Sequence, residues 1–262
     1  MIRRAAWLVL AALLLAAGPA SAQQFQGSYT LAGETADGSP YQGRIVIAPR
    51  DQAYDVEWTR LPGMPRRGFG LRLDNVLGIG AEDGDEDFGI VLYRVKGGHL
   101  DGIWQGNLSP RVLSLGRETL DGPESLEGTY AISLGLNPGG SRYYGTAKIH
   151  RTGSTFAVDW YTPTLRYIGT GVLVGDIFVV GYSEHRRSGV AAYCLRSVKV
   201  VEGVTAAAAD TALGAEEFWA ADAQAPAPDR LELLRGGNAV GACGVPIAAR
   251  PAPATGAVAA LR

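Results

Sequence analysis

Residues 126–160 read LEGTYAISLGLNPGGSRYYGTAKIHRTGSTFAVDW, and an altered copy, FQGSYTLAGETADGSPYQGRIVIAPRDQAYDVEW, occupies residues 25–58. Both segments open on a G-x-Y pattern and close on a V-x-W pattern. Between these ends, short alternations of apolar and polar residues are separated by glycine-rich turns, the pattern expected of β-strands joined by tight connections. The repeated segment therefore predicts a duplicated, all-β protein.

The repeat extends well beyond this segment. Further matches follow in the same order, at Gly68-Phe69-Gly70 and Gly169-Thr170-Gly171, at Tyr93 and Tyr193, and at Leu115-Gly116-Arg117-Glu118 and Leu213-Gly214-Ala215-Glu216. The separation stays at roughly a hundred residues throughout, so the two copies are collinear. We predict a first β repeat over residues 23–121 and a second over residues 126–219, joined by the short linker at residues 121–125.

Each copy holds about eight short strands at the spacing typical of barrels and sandwiches. Ile45 and Ile47 align with Ala147 and Ile149 on an apolar face, whereas Lys148 lies on the opposite, solvated face. Such a meander of one-sided strands removes its exposed edges by closing. We expect each copy to close as a small antiparallel eight-stranded barrel. Two β-sandwich-like units are the second choice and one larger composite barrel is the third.

The N-terminus has the features of a bacterial signal peptide. Arg3 and Arg4 precede an apolar run that ends at the A-x-A site Ala20-Ser21-Ala22, which predicts a signal over residues 1–22 and a periplasmic or secreted protein. The run is too short to span a membrane, so the mature chain is not expected to be transmembrane. Loss of the two arginines changes the formal charge from −2 to −4, too mild to favour nucleic acid as a partner.

The chain contains two cysteines, Cys194 and Cys243. An oxidising compartment permits a disulfide between them. Cys194 aligns with Arg94 and so faces away from the inward-pointing Tyr193. Cys243 lies in an Ala/Pro-rich tail over residues 220–262, which we expect to be partly disordered. We predict a disulfide that fastens this tail to the outside of the second unit.

Paired aromatic residues are the candidate ligand-binding groups. Tyr41, Trp58 and Tyr93 in the first copy correspond to Tyr143, Trp160 and Tyr193 in the second. Such rings could grip one ligand at the mouth of a small barrel, or they could fill its core. Nearby charged residues, Arg60 among them, could form a polar rim.

An acidic loop places Asp83, Asp85 and Asp87 at alternate positions, where carboxylates could converge on a calcium ion. The alternative is a solvated hairpin turn, because the glutamate that closes an EF-hand loop is absent. The histidines are unpaired between the copies, and no nucleophile elbow is present around Ser183. We therefore expect no enzyme activity and no cofactor.

The series G-x-Y, N-P-x-G-S-x-Y-x-G, V-x-W, G-x-G and L-G-x-E resembles a group of exported, glycine-rich bacterial repeat proteins. The second copy carries it best, from Asn137-Pro138-Gly139-Gly140-Ser141 through Trp160, and the resemblance covers about residues 25–219. Some members of that group are described as fibronectin-binding. The resemblance implies an exported β protein and assigns no role to any single residue.

Three functions follow from these patterns. The first is an exported, non-enzymatic binding module whose two units offer two related sites for an extracellular or envelope protein, a glycan or a small ligand. The second is a structural envelope protein with filled barrels and no discrete ligand. The third is a hydrolase or isomerase acting on envelope material, which would require clustered titratable groups in a cleft.

Overall fold

The computed structural model describes residues 25–81, 87–107, 114–185, 187–197, 200–207 and 211–220. The predicted signal peptide, the tail from residue 221, and the candidates Asp83, Asp85 and Cys243 lie outside the described residues. Within the described part of the chain the regular elements are sixteen β-strands. They are β1 (Gly27–Glu34), β2 (Pro40–Arg50), β3 (Ala53–Leu61), β4 (Pro65–Leu73), β5 (Val76–Ala81), β6 (Phe88–Lys96), β7 (His99–Gly106), β8 (Gly116–Asp121), β9 (Gly128–Leu136), β10 (Thr146–Thr152), β11 (Thr155–Tyr161), β12 (Arg166–Val174), β13 (Ile177–Ser183), β14 (Val190–Ser197), β15 (Val200–Ala206) and β16 (Gly214–Ala220).

The strands form two closed, eight-stranded barrels in which every neighbouring pair is antiparallel. The terminal barrel contains β1–β5 and β14–β16, and it closes where β1 pairs with β16. The central barrel contains β6–β13 and closes where β6 pairs with β13. The predicted all-β class with two eight-stranded barrels is thus confirmed.

The barrels do not coincide with the sequence repeats. The first repeat supplies five strands to the terminal barrel and then sends β6–β8 into the central barrel, while the second repeat sends β14–β16 the other way. The expectation that each copy closes on itself is therefore wrong: the last three strands of the two copies are exchanged. Exchange is possible because collinear copies present strands with the same inward-facing pattern, so either copy completes either barrel.

Two connections consequently have roles that the sequence did not predict. Strands β5 and β6 pair with β14 and β13 respectively and not with each other, so the chain passes from the terminal to the central barrel between Ala81 and Asp87, and the alternative of a hairpin between these two strands is wrong. Residues 121–125, predicted to link two barrels, instead connect β8 and β9, which are neighbours within the central barrel.

The inward-facing side chains of alternating strand positions pack in the interior of each barrel. In β10 the buried Ala147 and Ile149 alternate with the exposed Lys148, as expected. The interior of the terminal barrel is closed by aromatic and aliphatic residues such as Tyr29 and Phe218. That of the central barrel is closed by residues such as Tyr130 and Phe178.

A third apolar cluster joins the outer faces of the two barrels. It includes Leu71, Leu92 and Val179. Because of this cluster, β5 and β13 are buried on both faces, whereas the sequence predicted strands with one solvated face. Glycine allows the close contact: a methyl group on Gly80 would lie 2.4 Å from the Gly89 carbonyl oxygen of the facing barrel. The two barrels therefore pack without intervening side chains at this point.

Candidate functional site

The candidate site is built around Glu118, a carboxyl group inside the central barrel. Glu118 lies on β8 at an inward position and is only 5% exposed. One of its oxygens accepts a hydrogen bond from Trp160 Nε1 at 3.0 Å and another from the Tyr93 hydroxyl, and the second oxygen accepts one from the Tyr143 hydroxyl at 2.9 Å. All three partners donate, which is the arrangement that satisfies an ionised carboxylate.

Glycine at neighbouring positions makes room for these rings. Gly102 lies opposite Glu118 on β7, and a methyl group there would come within 2.5 Å of the Tyr93 ring. Gly135 on β9 likewise borders Tyr143, whose ring would lie 2.7 Å from an added methyl group. The local sequence thus combines a buried acid with small residues that admit large donors around it.

Burial dominates the electrostatics of this group. Desolvation raises the pKa of Glu118, and the hydrogen bonds from Tyr93, Tyr143 and Trp160 partly oppose that rise. Burial, together with the nearby Glu118 charge, also raises the pKa of Tyr93 and of Tyr143. Both tyrosines therefore remain protonated hydrogen-bond donors at neutral pH.

A cavity of about 420 Å³ opens above Glu118 at the mouth of the central barrel. Six aromatic side chains line it: Tyr93, Trp104, Tyr143, Trp160, Tyr167 and Tyr182. Several of the rings meet edge to face, with centroids 6.1 Å apart for Trp160 and Tyr182 and 5.4 Å apart for Tyr167 and Tyr182. Edge-to-face contact holds the rings in place, so the cavity wall is preformed.

Asp87 supplies a second carboxyl group to this cavity. It precedes β6 and accepts a hydrogen bond from the Tyr167 hydroxyl at 3.0 Å, and burial raises its pKa. Asp83 and Asp85, its predicted calcium-binding partners, lie outside the described residues. Within the described ranges no cluster of three or more His, Cys, Asp or Glu side chains is placed to hold a metal ion.

The terminal barrel has a corresponding group in Glu216, which is 2% exposed. Its oxygens accept hydrogen bonds from the hydroxyls of Tyr41 and Tyr193, the counterparts of Tyr143 and Tyr93. Here the third partner is Arg60, whose guanidinium lies 3.3 Å from Glu216 and 4.0 Å from the centre of the Tyr41 ring. The cavity that remains is smaller, about 230 Å³.

The two cavities differ at the positions of two arginines. Arg60 and Arg66 line the terminal cavity, and Trp58 pairs with Arg66 just as Trp160 pairs with Tyr167 in the central barrel. The residue two positions after Trp58 is Arg60, whereas two positions after Trp160 it is Thr162.

Thr162 forms part of the rim of the central cavity. Its hydroxyl exchanges hydrogen bonds of 3.0 Å with the backbone of Leu165, which shapes a short turn. The described residues that line the central cavity include two carboxyl groups and no Lys, Arg or His.

All six aromatic candidates lie at one of these two carboxyl-centred sites, but the groupings differ from the prediction. Strand exchange places Tyr93 of the first copy with Tyr143 and Trp160 of the second, and Tyr193 of the second with Tyr41 and Trp58 of the first. Each site is therefore a composite of both copies.

Sequence reasoning missed Glu118 and Glu216 as the centres of these sites. Both glutamates stand in the matched L-G-x-E segments, at a strand position where alternation points the side chain inward. An acidic residue repeated at an inward position was the signal that could have identified them.

Cys194 occupies a different part of the molecule. It faces away from the barrel interior, as predicted, but it is fully buried in the cluster between the barrels because that outer face is not solvated. Cys194 is disulfide-bonded. The pairing with Cys243 stays a prediction, since Cys243 lies outside the described residues.

Comparison with protein-family models, curated proteins and solved structures finds no match to this chain. The resemblance to glycine-rich exported repeat proteins therefore stays a prediction. Among the described residues, no helix has the length and apolar character needed to cross a membrane.

Proposed function

We propose that this protein is an exported, non-enzymatic binding protein that holds a small ligand in the mouth of the central barrel. The observation that carries the proposal is the cavity of about 420 Å³, walled by aromatic rings above one buried carboxyl group. Its volume lies in the range of small-molecule sites, and such sites combine a mostly apolar lining with a few polar groups that orient the ligand.

The second sequence-based possibility, a structural envelope protein, predicts two filled barrels. The terminal barrel fits that description better, because Arg60 reaches across Tyr41 to Glu216 and reduces the free space. The central barrel keeps an open cavity beside a buried carboxyl group, although taking that group out of water costs free energy. The retention of a polar cavity supports binding.

An enzyme acting on envelope material would need a free acid or base. Asp87 and Glu118 both face the cavity, but both oxygens of Glu118 are occupied by donors from the protein. A carboxyl group held in this way orients charge and is poorly placed to take a proton from a substrate. This arrangement supports a binding role over hydrolysis or isomerisation.

The test is a thermal-shift screen of the mature protein against a mixed library of neutral, anionic and cationic small molecules, glycans and lipids. Val91 lies on the cavity wall, so the substitution Val91→Phe fills the space. Ala191 is its counterpart in the terminal barrel, and Ala191→Val serves as the matched control. We expect at least one compound to raise the Tm of the wild type and of Ala191→Val but not of Val91→Phe. A library without any effect on the wild type would overturn the proposal.

A further inference from the structure

The terminal barrel carries its own cation at the site of its buried carboxyl group. The Arg60 guanidinium stacks 4.0 Å above the Tyr41 ring and lies 3.3 Å from Glu216. Cation–π contact and charge-assisted hydrogen bonding act together in this arrangement. The terminal barrel therefore shows this kind of site with a protein cation bound. The described residues that line the central cavity include no such cation.

We infer that the central barrel binds a small organic cation, a guanidinium or amine on an apolar body, with its charge at Glu118 among the aromatic rings. The inference rests on the proposed function and names the chemical class of its ligand. The observation that carries it is that Arg60 in the terminal barrel corresponds to Thr162 in the central barrel. Where the terminal barrel has a protein cation, the central barrel has a short neutral side chain and a larger cavity.

The charge balance of the central cavity supports a cation. Its described lining residues include Asp87 and Glu118 but no basic side chain. A buried carboxylate without a counter-charge is unfavourable, and donors from neutral groups relieve only part of that cost. A ligand that brings one positive charge completes the site in the way that Arg60 completes the terminal one.

The aromatic wall selects the type of cation. Six rings surround the space, and aromatic faces attract weakly hydrated organic cations by their quadrupole. A hard metal ion would instead require six or more oxygen ligands, and the described residues offer no such cluster. An amine or guanidinium with an apolar body matches both the rings and the carboxyl group.

Size gives a further indication. The central cavity, about 420 Å³, exceeds the terminal one, about 230 Å³. The residues that line the central cavity include Trp104, Tyr167 and Tyr182, whose rings present apolar surface, whereas the counterparts of these residues in the terminal barrel are Thr205, Arg66 and Ala81. The ligand is therefore expected to carry an apolar or aromatic group besides its charged end.

The test compares compounds of one shape and different charge by titration calorimetry on the mature protein. Phenethylamine and benzylguanidine are the cationic probes, 2-phenylethanol is the neutral probe and phenylacetate is the anionic one. We expect only the cationic probes to bind. Glu118→Gln keeps the shape of the side chain, and its loss of charge should weaken cation binding by about tenfold or more, since charge-assisted hydrogen bonds are roughly twice as strong as neutral ones.

Glu216→Gln in the terminal barrel is the matched control and should bind the cationic probes as the wild type does. A near-ultraviolet circular dichroism spectrum like that of the wild type establishes that each variant is folded. If Glu118→Gln does not fold, Thr162→Arg places a protein cation at the mouth and should abolish binding instead. Equal binding of 2-phenylethanol or phenylacetate would overturn the cation inference and leave the proposed function standing. If neither these probes nor the mixed library binds, both are overturned.

Discussion

Glu118 and Glu216 occupy the same position in two copies of one repeat, but their partners differ. Glu216 shares its charge with Arg60, whereas Glu118 receives only neutral donors from Tyr93, Tyr143 and Trp160. At this scale Arg60 separates a buried carboxyl group that contacts a protein cation, beside the smaller cavity, from one whose described neighbours around the larger cavity include no cation. The free energy of unfolding should therefore respond to the ionisation of Glu118.

Glu118→Gln should change how stability depends on pH. Burial raises the pKa of Glu118 in the folded state above its value in the unfolded chain, so the folded state holds the proton more tightly. The contribution of this group to the free energy of unfolding is then fully present below the unfolded pKa, about 4.3, and is lost as pH rises towards the folded pKa. Glutamine does not titrate.

Urea unfolding of both proteins across this pH range measures the effect. We expect the wild type to lose stability relative to Glu118→Gln as pH rises from about 4 to neutrality. A stability difference that stays constant with pH, or that changes in the opposite direction, would contradict the assignment of a raised pKa to Glu118.

Strands β5 and β6, between which the chain crosses from one barrel to the other, approach each other at glycines. Gly80 on β5 faces the carbonyl oxygen of Gly89 in the other barrel, and a methyl group would lie 2.4 Å from it. Backbone atoms cannot move aside as a flexible side chain can. The close contact of the barrels therefore depends on the absence of a side chain here.

We predict that Gly80→Ala lowers the free energy of unfolding by about 1–3 kcal/mol, the usual cost of overpacking. Gly189 lies near the same contact, but a methyl group there would be 3.4 Å from its nearest neighbour. Gly189→Ala is therefore the matched control and should cost less. Chemical denaturation measures both values, and an equal loss in the two variants would show that the contact at Gly80 is not tight.

The strand pattern, the turn glycines and the two-barrel class were all predictable from sequence. Alternation identified the inward positions of Ile149 and Trp160, and the two-barrel class followed from the number and spacing of strands in each copy. The exchange of β6–β8 and β14–β16 was not predictable, because Tyr93 and Tyr193 fit either barrel equally well. The terminal site differs from the central one by the contact of Arg60 with Glu216, and the sequence had suggested only that Arg60 lies on a polar rim.

The whole molecule is a pair of barrels that neither repeat can complete alone. Each half of the chain supplies five strands to one barrel and three to the other. The strand pairings between β5 and β14 and between β6 and β13 hold the halves together by backbone hydrogen bonds as well as by side-chain packing.

A protease site introduced between Gly122 and Leu126 should therefore cut the chain without separating its halves. We expect the cleaved protein to elute from a size-exclusion column at the volume of the intact chain and to separate only in denaturant. Elution as two fragments of half the mass under native conditions would contradict the exchanged topology.

One open site in two barrels predicts the stoichiometry of binding, and titration calorimetry with benzylguanidine measures it most directly. We expect one site per wild-type chain, none in Thr162→Arg, and two in the double variant Arg60→Thr with Arg66→Tyr, which removes both arginines that line the terminal cavity and gives it the central barrel's residues at these two positions. Thr162→Val, which loses the same turn hydroxyl without adding charge, should keep one site. Two sites in the wild type, or unchanged binding in Thr162→Arg, would contradict the account.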